Sequence, residues 1–422
     1  MKVLALILFI ATYVFMIVQP KRRVYAAAVT AVIFLVTGIV PIRRFFSVVD
    51  FNVLMMISGM MIIVSYFILS NMPMKIADFL LKKSRNLCMV TIYLSVFAGV
   101  ISAFIDNVAT VLMIAPVALA IARKQNVSPV LMIISIAVSS NLQGAATLVG
   151  DTTSILLGAY ANMNFLDFFF MHGKMGIFWA VELGALLTIP VMYLLFRHKK
   201  EPVDSEESTQ VDDYVPTWAL VLTILTLIGA SFFANRPHMT NGFICMFFAL
   251  VCVFADLIRN RNTVNLKTAF ADYDYLTVIL LASLFIVVGG VSEVGIIDDI
   301  SRLFVKFGGN NIFLLYTLIV WGSVAVSAFI DNIPYVSAML PVIAGICRML
   351  GIEPYLLFFG LLSGATLGGN LTPIGASANI TGIGILRRRG YEVSNKDFMK
   401  VSVPFTLAAV TAGYLFIWFV WR

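Results

Sequence analysis

The stretch Ser102–Asn107, which reads Ser-Ala-Phe-Ile-Asp-Asn, recurs letter for letter as Ser327–Asn332, 225 residues later. Each copy lies inside a long apolar run, which places the acids Asp106 and Asp331 at membrane depth. An acid inside a membrane is costly and by default marks a path for an ion, a proton or a substrate. Its duplication predicts a chain built from two related halves, as many secondary transporters are.

The repeat extends well beyond this hexapeptide. At the constant offset of 225, 12 of the 28 positions from 102 to 129 are identical. These 12 include Pro116/Pro341, Arg123/Arg348 and Pro129/Pro354, and the same register continues to Gly144/Gly369, Thr147/Thr372 and Gly150/Gly375. Chance similarity between apolar segments does not keep such residues in step, so the halves are related.

Composition identifies the class of protein. Of 422 residues, 60% are hydrophobic and 12% are charged, whereas soluble proteins are roughly a quarter charged. Long apolar segments, rather than short alternating ones, predict an all-α polytopic membrane protein embedded in the lipid bilayer. The net charge of +7 comes from loops and needs no nucleic-acid partner. The predicted spans are 3–19, 24–40, 51–70, 130–160, 175–196, 216–234, 240–257, 275–293, 354–386 and 399–421.

Two apolar stretches, 88–122 and 312–347, are too long for one crossing and contain the Asp-Asn pairs. We expect each to form a re-entrant hairpin, since irregular backbone at that depth is tolerated where protein or water surrounds it. Amphipathic helices that precede both hairpins are expected to lie in the membrane interface.

The halves are predicted to be inverted repeats, at 1–200 and 216–422, joined by a polar linker at 201–215. Five crossings in each half turn the second half upside down. Lys and Arg then divide 20 against 9 between the two sides, and the richer side is expected to be cytoplasmic. Both termini would face outward.

A glycine-rich break interrupts one span in each half, at 139–154 and 363–379. Glycine permits unusual backbone angles and Pro373 denies a donor, so we expect the helices to unwind there. Freed carbonyls, hydroxyls and amides would supply the oxygen ligands that a hard cation prefers. Packing of helices by small residues is the alternative explanation. The predicted ion- or substrate-binding residues are Asp106, Asn107, Thr110, Asn141, Thr147, Asp151, Thr152, Thr153, Ser154, Asp331, Asn332, Asn370, Thr372, Ser377 and Asn379.

The three acids differ in how strongly the sequence indicates a role in ion binding. Asp106 and Asp331 could be helix caps as well as ligands. Asp151 aligns with Ala376, so the repeat does not require it, and it is a candidate carrier of a proton or cation. The hairpins and breaks contain no Lys, and their Arg residues lie at the interfaces. A core with three acids and no fixed cation fits Na⁺ or protons better than a bare anion.

Two other function classes fit the sequence less well. Two intramembrane aspartates suggest an aspartyl protease, but the GxGD pattern of that class needs Gly where Leu148 stands, and proteolysis leaves the duplication unexplained. A channel fits inverted hairpins less well than alternating access does. We therefore expect no enzyme activity.

At these residues the chain resembles the ion transporter superfamily, which includes divalent anion:sodium symporters, citrate transporters, arsenite pump membrane subunits, NhaD-type sodium/proton antiporters and the P protein. The anchors are 102–110 with Pro116, 146–151, 329–334 and 368–379. Asp-Asn at the hairpin tips is most similar to the antiporter and P-protein branch. One departure concerns Thr152-Thr153-Ser154, where many relatives carry Pro-Pro-Asn.

The resemblance implies a homodimer with scaffold and mobile transport domains that work as an elevator. The scaffold would hold 1–70 and 216–293, the transport elements would be 88–160 and 312–386, and spans 175–196 and 399–421 complete the halves. It also implies Na⁺ sites near Asn107, Thr147, Gly150, Asn332, Thr372 and Gly375.

The sequence thus predicts a secondary transporter in the cytoplasmic (inner) membrane, with Na⁺ or H⁺ as coupling ions and no other cofactor. The acid-rich core favours Na⁺/H⁺ exchange or another small inorganic ion. Na⁺-coupled symport of di- or tricarboxylates such as succinate or citrate is the alternative.

Overall fold

The computed structural model describes residues 1–82, 84, 86–199, 201, 209–233, 236–260, 264–309 and 311–422. These residues are almost entirely helical, which confirms the predicted all-α class. Seven of the described helices are long and apolar enough to cross a membrane. They lie at 51–69, 107–124, 177–196, 240–259, 275–293, 332–350 and 395–421.

In the first half, ten α-helices follow one another among the described residues. They are α1 (Lys2–Val18), α2 (Arg23–Val36), α3 (Phe45–Val48), α4 (Phe51–Leu69), α5 (Met72–Lys82), α6 (Leu87–Ser102), α7 (Asn107–Lys124), α8 (Val130–Gln143), α9 (Thr152–Tyr160) and α10 (Ile177–Phe196). A two-stranded hairpin, β1 (Phe170–Met171) and β2 (Lys174–Met175), precedes α10. Its turn, His172-Gly173, has positive φ at both residues, as tight hairpin turns require.

The second half also contains ten helices among its described residues. They are α11 (Val215–Ser231), α12 (Thr240–Asn260), α13 (Val264–Ala271), α14 (Tyr275–Glu293), α15 (Ile296–Gly308), α16 (Ile312–Ser327), α17 (Asn332–Leu350), α18 (Tyr355–Gly368), α19 (Ser377–Arg388) and α20 (Asn395–Trp421).

Burial divides these helices into a centre and a periphery. Residues 132–143 of α8 and 356–368 of α18 are buried throughout, although α8 carries several polar side chains. In contrast, α2 and α12 expose large apolar side chains, among them Val32, Val36, Phe243 and Phe254. Exposed apolar faces on hydrophobic helices are expected where lipid or another subunit covers them.

The repeated hexapeptides form the sharp turns between α6 and α7 and between α16 and α17. Each pair is covered by the short helix that precedes it, α5 in the first half and α15 in the second, which contacts both members. By length, α7 and α17 could each cross a membrane, so the re-entrant arrangement stays a prediction. Both predicted breaks are present: α8 stops at Gln143 before α9, and α18 stops at Gly368 before α19.

Contacts between distant helix ends fall into two groups. Lys2 pairs with Asp299 at 2.6 Å, and Trp421 Nε1 donates to Met175 O at 2.9 Å. In the other group, Asn71 Nδ2 donates to Asp212 Oδ2 at 2.6 Å, and Cys88 N donates to Lys199 O at 3.0 Å. Each of these contacts joins segments that the Lys and Arg count assigns to the same predicted side, and the sidedness itself stays a prediction.

The predicted linker lies partly outside the described residues, at 202–208, and so do four of the cations counted above, Lys83, Arg85, Lys200 and Arg261. In its described part, Thr209 N donates to Asp78 Oδ2 at 2.7 Å and Asp213 pairs with Arg259 at 2.8 Å. This segment is therefore held against α5 and the end of α12.

Candidate functional site

The two hairpin turns end in aspartates that cap the following helices. Asp106 Oδ1 accepts hydrogen bonds from the backbone N–H of Val108 and Ala109, at 2.9 and 3.2 Å. Asp331 Oδ1 accepts only from Ile333 N, at 3.2 Å, because the residue equivalent to Ala109 is Pro334. The capping role considered from the sequence is thus present, and in both cases it uses one carboxylate oxygen.

The breaks repeat the same hydrogen bonds at the 225-residue offset. Thr147 Oγ1 donates to Ala103 O, and Thr372 Oγ1 donates to Ala328 O. Each bond ties a broken helix to the turn of the hairpin in the same half. The hydroxyl and the carbonyl that the two halves share are therefore fixed in equivalent positions.

A second equivalent pair explains the departure at Thr152-Thr153-Ser154. Ser154 Oγ donates to Gly144 O at 3.1 Å, and in the other half Asn379 Nδ2 donates to Gly369 O at 3.1 Å. Serine therefore performs in the first half the contact that an amide makes in the second. The missing Asn does not leave that carbonyl without a donor.

Three carbonyl oxygens converge on each of the two break glycines. A Cβ on Gly150 would lie 2.8 Å from the oxygens of Ser102, Ala103 and Gly144. A Cβ on Gly375 would lie 2.5 to 2.8 Å from those of Gly369, Ser327 and Ala328. Carbonyl clusters beside a threonine hydroxyl are the ligand type of a hard cation. The residues present fit the Na⁺ sites that the resemblance implies.

Asp151 joins the two halves at its carboxylate. Its Oδ1 accepts from Thr152 N at 2.8 Å, and its Oδ2 accepts from Thr153 Oγ1 at 2.7 Å and Asn332 Nδ2 at 3.2 Å. The residue is 4% exposed, and no ion pair to it occurs among the described residues. Burying a charge is costly unless it is paired and hydrogen-bonded, so this carboxylate is suited to bind a proton or a cation.

Amide side chains connect the broken helices directly. Asn141 Oδ1 accepts from Asn107 Nδ2 at 2.8 Å, while Asn141 Nδ2 donates to Thr366 O at 2.7 Å and Asn370 Oδ1 at 3.1 Å. Asn370 Nδ2 in turn donates to Val138 O at 2.9 Å. Both asparagines are fully buried, so this network holds α8 and α18 together at the level of the breaks.

A cavity of ≈ 350 Å³ lies beside the first hairpin turn and Asp151. Apolar side chains of α4, including Met60 and Val64, form the opposite wall. The cavity extends to Asp272 and Asp274, which are exposed at the start of α14, so it opens at that end of the molecule. Its wall contains seven of the residues predicted from the sequence: Asp106, Asn107, Gly150, Asp151, Thr152, Asn332 and Ser377.

The expectation that the core holds no fixed cation is wrong. Arg23, at the start of α2, lines the cavity, and its Nη1 lies 2.5 Å from Asp331 Oδ2. Ser377 Oγ donates to the same oxygen at 3.0 Å. The sequence places Arg23 among the loop cations, because nothing in it links Arg23 to Asp331, a residue more than 300 positions away.

The remaining predicted residues lie behind the wall or away from it. Most make the hydrogen bonds described above and thus support the lining residues. Thr110 is different, because its hydroxyl donates to Asp106 O at 3.0 Å within its own helix. The sequence missed Arg23, Asp272, Asp274 and the α4 wall, and only Asp274, the cap of α14, has a local signal, the Asp-x-x-Thr of a helix start.

Comparison with known proteins gives consistent matches. The profile of the family described as CitMHS, citrate transporter, matches residues 13–357 and 261–422. An uncharacterized transporter of Mycobacterium tuberculosis is 28% identical over 430 residues, which cover 99% of this chain and 98% of that protein. The human P protein is 24% identical over 87% of this chain, which spans 53% of that protein.

Two solved structures share the fold at low sequence identity. The YdaH transporter of Alcanivorax borkumensis matches with a TM-score of 0.60 at 14% identity, and the match covers 92% of this chain and 88% of the YdaH chain. MtrF of Neisseria gonorrhoeae, described as an antimetabolite efflux pump, has a TM-score of 0.59 at 15% identity, with 92% and 83% covered.

Proposed function

The chain belongs to the CitMHS family of citrate transporters, and from this premise we propose a cation-coupled secondary transporter of a small ion, with Na⁺/H⁺ exchange as the favoured reaction. Membership in the family makes it a multi-pass membrane transporter. The coupling ion, the substrate and the mechanism below are our proposal.

One observation carries this choice: the carboxylate of Asp151 is buried at the cavity wall without a fixed cation. Asp106 faces the same cavity and, among the described residues, also lacks an ion pair. Two such acids attract a cation or a proton, and they repel a bare anion. Gly150, on which one carbonyl cluster converges, lines the same cavity, and that cluster and the equivalent one at Gly375 would supply oxygen ligands for Na⁺.

We propose that the hairpins and broken helices move together as the transport domain of an elevator. Their mutual hydrogen bonds, from Thr147 to Ala103 and from Asn141 to Asn370, support movement as one unit. The cavity wall contributed by α4 would belong to the scaffold, which we propose mediates a homodimer. The charge asymmetry supports the inner membrane, with the cavity open to the cytoplasm.

The test uses the full chain in liposomes that contain a pH dye. An inward Na⁺ gradient should drive protons out, and choline at equal ionic strength should not. Asp151→Asn should slow exchange by about tenfold or more, equivalent to ~1.4 kcal/mol. Asp298→Asn, which removes an acid from α15 away from the cavity, is the matched control. Full exchange in Asp106→Asn, Asp151→Asn and Asp331→Asn would show that none of these acids carries the ion.

Na⁺-coupled symport of a di- or tricarboxylate is the second candidate, and Arg23 is the observation that favours it. A guanidinium recognises carboxylates in a bidentate manner, and the family description names citrate. Labelled succinate or citrate should then accumulate under a Na⁺ gradient while the dye reports no proton movement. That result would contradict Na⁺/H⁺ exchange and support Na⁺-coupled symport.

We propose transport rather than peptide hydrolysis for the intramembrane aspartates. The family and the relatives reported above are transporters. The proposal requires no cofactor other than the coupling ions.

A further inference from the structure

The ion pair between Arg23 and Asp331 has no counterpart at the first hairpin turn among the described residues. The two side chains are 20% and 9% exposed, and Nη1 and Oδ2 are 2.5 Å apart. Salt screens a partly buried pair less than an exposed one, and the hydrogen bond is charge-assisted. At the first hairpin turn no described cation stands within ion-pair distance of Asp106.

The cap at Asp331 leaves one carboxylate oxygen available, as the cap at Asp106 does. The capping of α17 occupies Oδ1 alone and, because Pro334 has no N–H, consists of one bond. Oδ2 is left to Ser377 and Arg23. Two oxygens of one carboxylate are therefore divided between the cap and the cation.

Arg23 and Asp331 belong to different parts of the molecule. Arg23 begins α2, which packs on α1 and α14, whereas Asp331 belongs to the turn before α17. A second contact also joins the first helices to this turn, because Tyr13 Oη of α1 donates a hydrogen bond to Pro334 O at 2.8 Å. The second turn is thus tethered to α1 and α2, while the cavity separates the first turn from α4.

We propose that Arg23 acts as a tethered substitute for Na⁺ at the second hairpin turn. In the state with the cavity open toward Arg23, the guanidinium neutralises Asp331 and weakens the binding of Na⁺ beside it. When the transport elements carry the turn away from α2, Asp331 is uncovered and attracts Na⁺ on the other side. The arginine thereby promotes release of the cation at one side only. This inference rests on the proposed cation coupling.

The experiment measures thermal unfolding of the purified full chain as a function of NaCl, with choline chloride holding ionic strength constant. A ligand that binds the folded state stabilises it by RT ln(1 + [L]/Kd), so fitting the rise in Tm against Na⁺ concentration gives Kd, the half-saturating Na⁺ concentration. Arg23→Gln should lower that concentration by about tenfold, because Asp331 is left without its counter-ion. The matched control is Arg22→Gln, which removes the same charge from the adjacent, exposed arginine.

Two further variants guard against a purely structural effect. Arg23→Gln combined with Asp331→Asn should lose the gain in Na⁺ affinity. Arg23→Lys retains a point charge without the planar fork, so it should shift the half-saturating concentration in the same direction by a smaller factor. If Arg23→Gln does not fold, the Na⁺ titration of Arg23→Lys serves as the test of the proposal.

The outcomes separate this inference from the proposed function. A wild-type Tm that does not respond to Na⁺ contradicts Na⁺ coupling, and the role of Arg23 with it. A wild type that responds, with an unchanged half-saturating concentration in Arg23→Gln or Arg23→Lys, contradicts the role of Arg23 alone. If Arg23→Gln lowers Tm by the same amount at every Na⁺ concentration, the ion pair only stabilises the fold. That result would also contradict the role of Arg23 in Na⁺ release.

Discussion

The break glycines are the residues at which the absence of a side chain matters most. Any Cβ on Gly375 would lie 2.5 Å from Gly369 O and 2.8 Å from two more carbonyl oxygens. All three belong to backbone that the hairpin turn and the broken helix fix. Only glycine therefore leaves room for a cation beside these oxygens, two of which also accept hydrogen bonds from Asn379 and Thr372.

We predict that Gly375→Ala abolishes most Na⁺-driven transport, because the methyl group displaces the carbonyl cluster. Gly384→Ala is the control, since a Cβ there meets nothing within 4 Å, and alanine in a helix interior stabilises by about 1 kcal/mol over glycine. Transport in liposomes and Tm should be measured together. Normal transport by Gly375→Ala would show that these carbonyl oxygens are not part of the cation site.

Between elements, the contact of the two broken helices depends on amide side chains. Asn141→Ala removes three buried hydrogen bonds and leaves Asn107 Nδ2 and Thr366 O without this partner. An unsatisfied buried group costs about 1–3 kcal/mol, so we predict a total loss of about 3 kcal/mol in the free energy of unfolding. Asn395→Ala, at an exposed helix start, should change stability little. Equal Tm values for both variants would contradict this.

The packing of α4 on α12 depends on close backbone approach. A Cβ on Gly59 would lie 2.5 Å from the carbonyl carbon of Cys245, a contact typical of membrane helices joined by small residues. We predict that Gly59→Ala destabilises the protein by about 1–3 kcal/mol through overpacking. Gly229→Ala, where a Cβ meets open space, should be neutral when the two are compared by thermal unfolding in detergent.

The elements also show what sequence could and could not predict. The ends of α8 at Gln143 and α18 at Gly368 follow from glycines and Pro373, which act locally. The pairing of Arg23 with Asp331 depends on how α2 packs against distant helices, and no local pattern encodes that. The same holds for the α4 wall, whose methionines have the composition of any apolar span.

For the whole molecule, the prediction that matters is which side each loop occupies. Arg22 immediately precedes α2, Arg43 follows its end by seven residues, and both are exposed, whereas the four native cysteines are buried. In right-side-out vesicles, an impermeant maleimide should label Arg43→Cys at once and Arg22→Cys only after permeabilisation. The reverse pattern would invert the proposed orientation, and labelling of both from one side would show that α2 does not cross.

The contact from Asn141 to Thr366 has an evolutionary consequence. These positions are 225 residues apart, so each is the counterpart of the other in the duplicated ancestor, and they touch. The side chain of Asn141 contacts the backbone carbonyl of Thr366, and a carbonyl is present whatever side chain position 366 carries. The two positions were therefore able to diverge to Asn and Thr while the hydrogen bond between the halves was kept. Asp151 opposite Ala376 is a second position at which one half differs from the other, and it lies outside this contact.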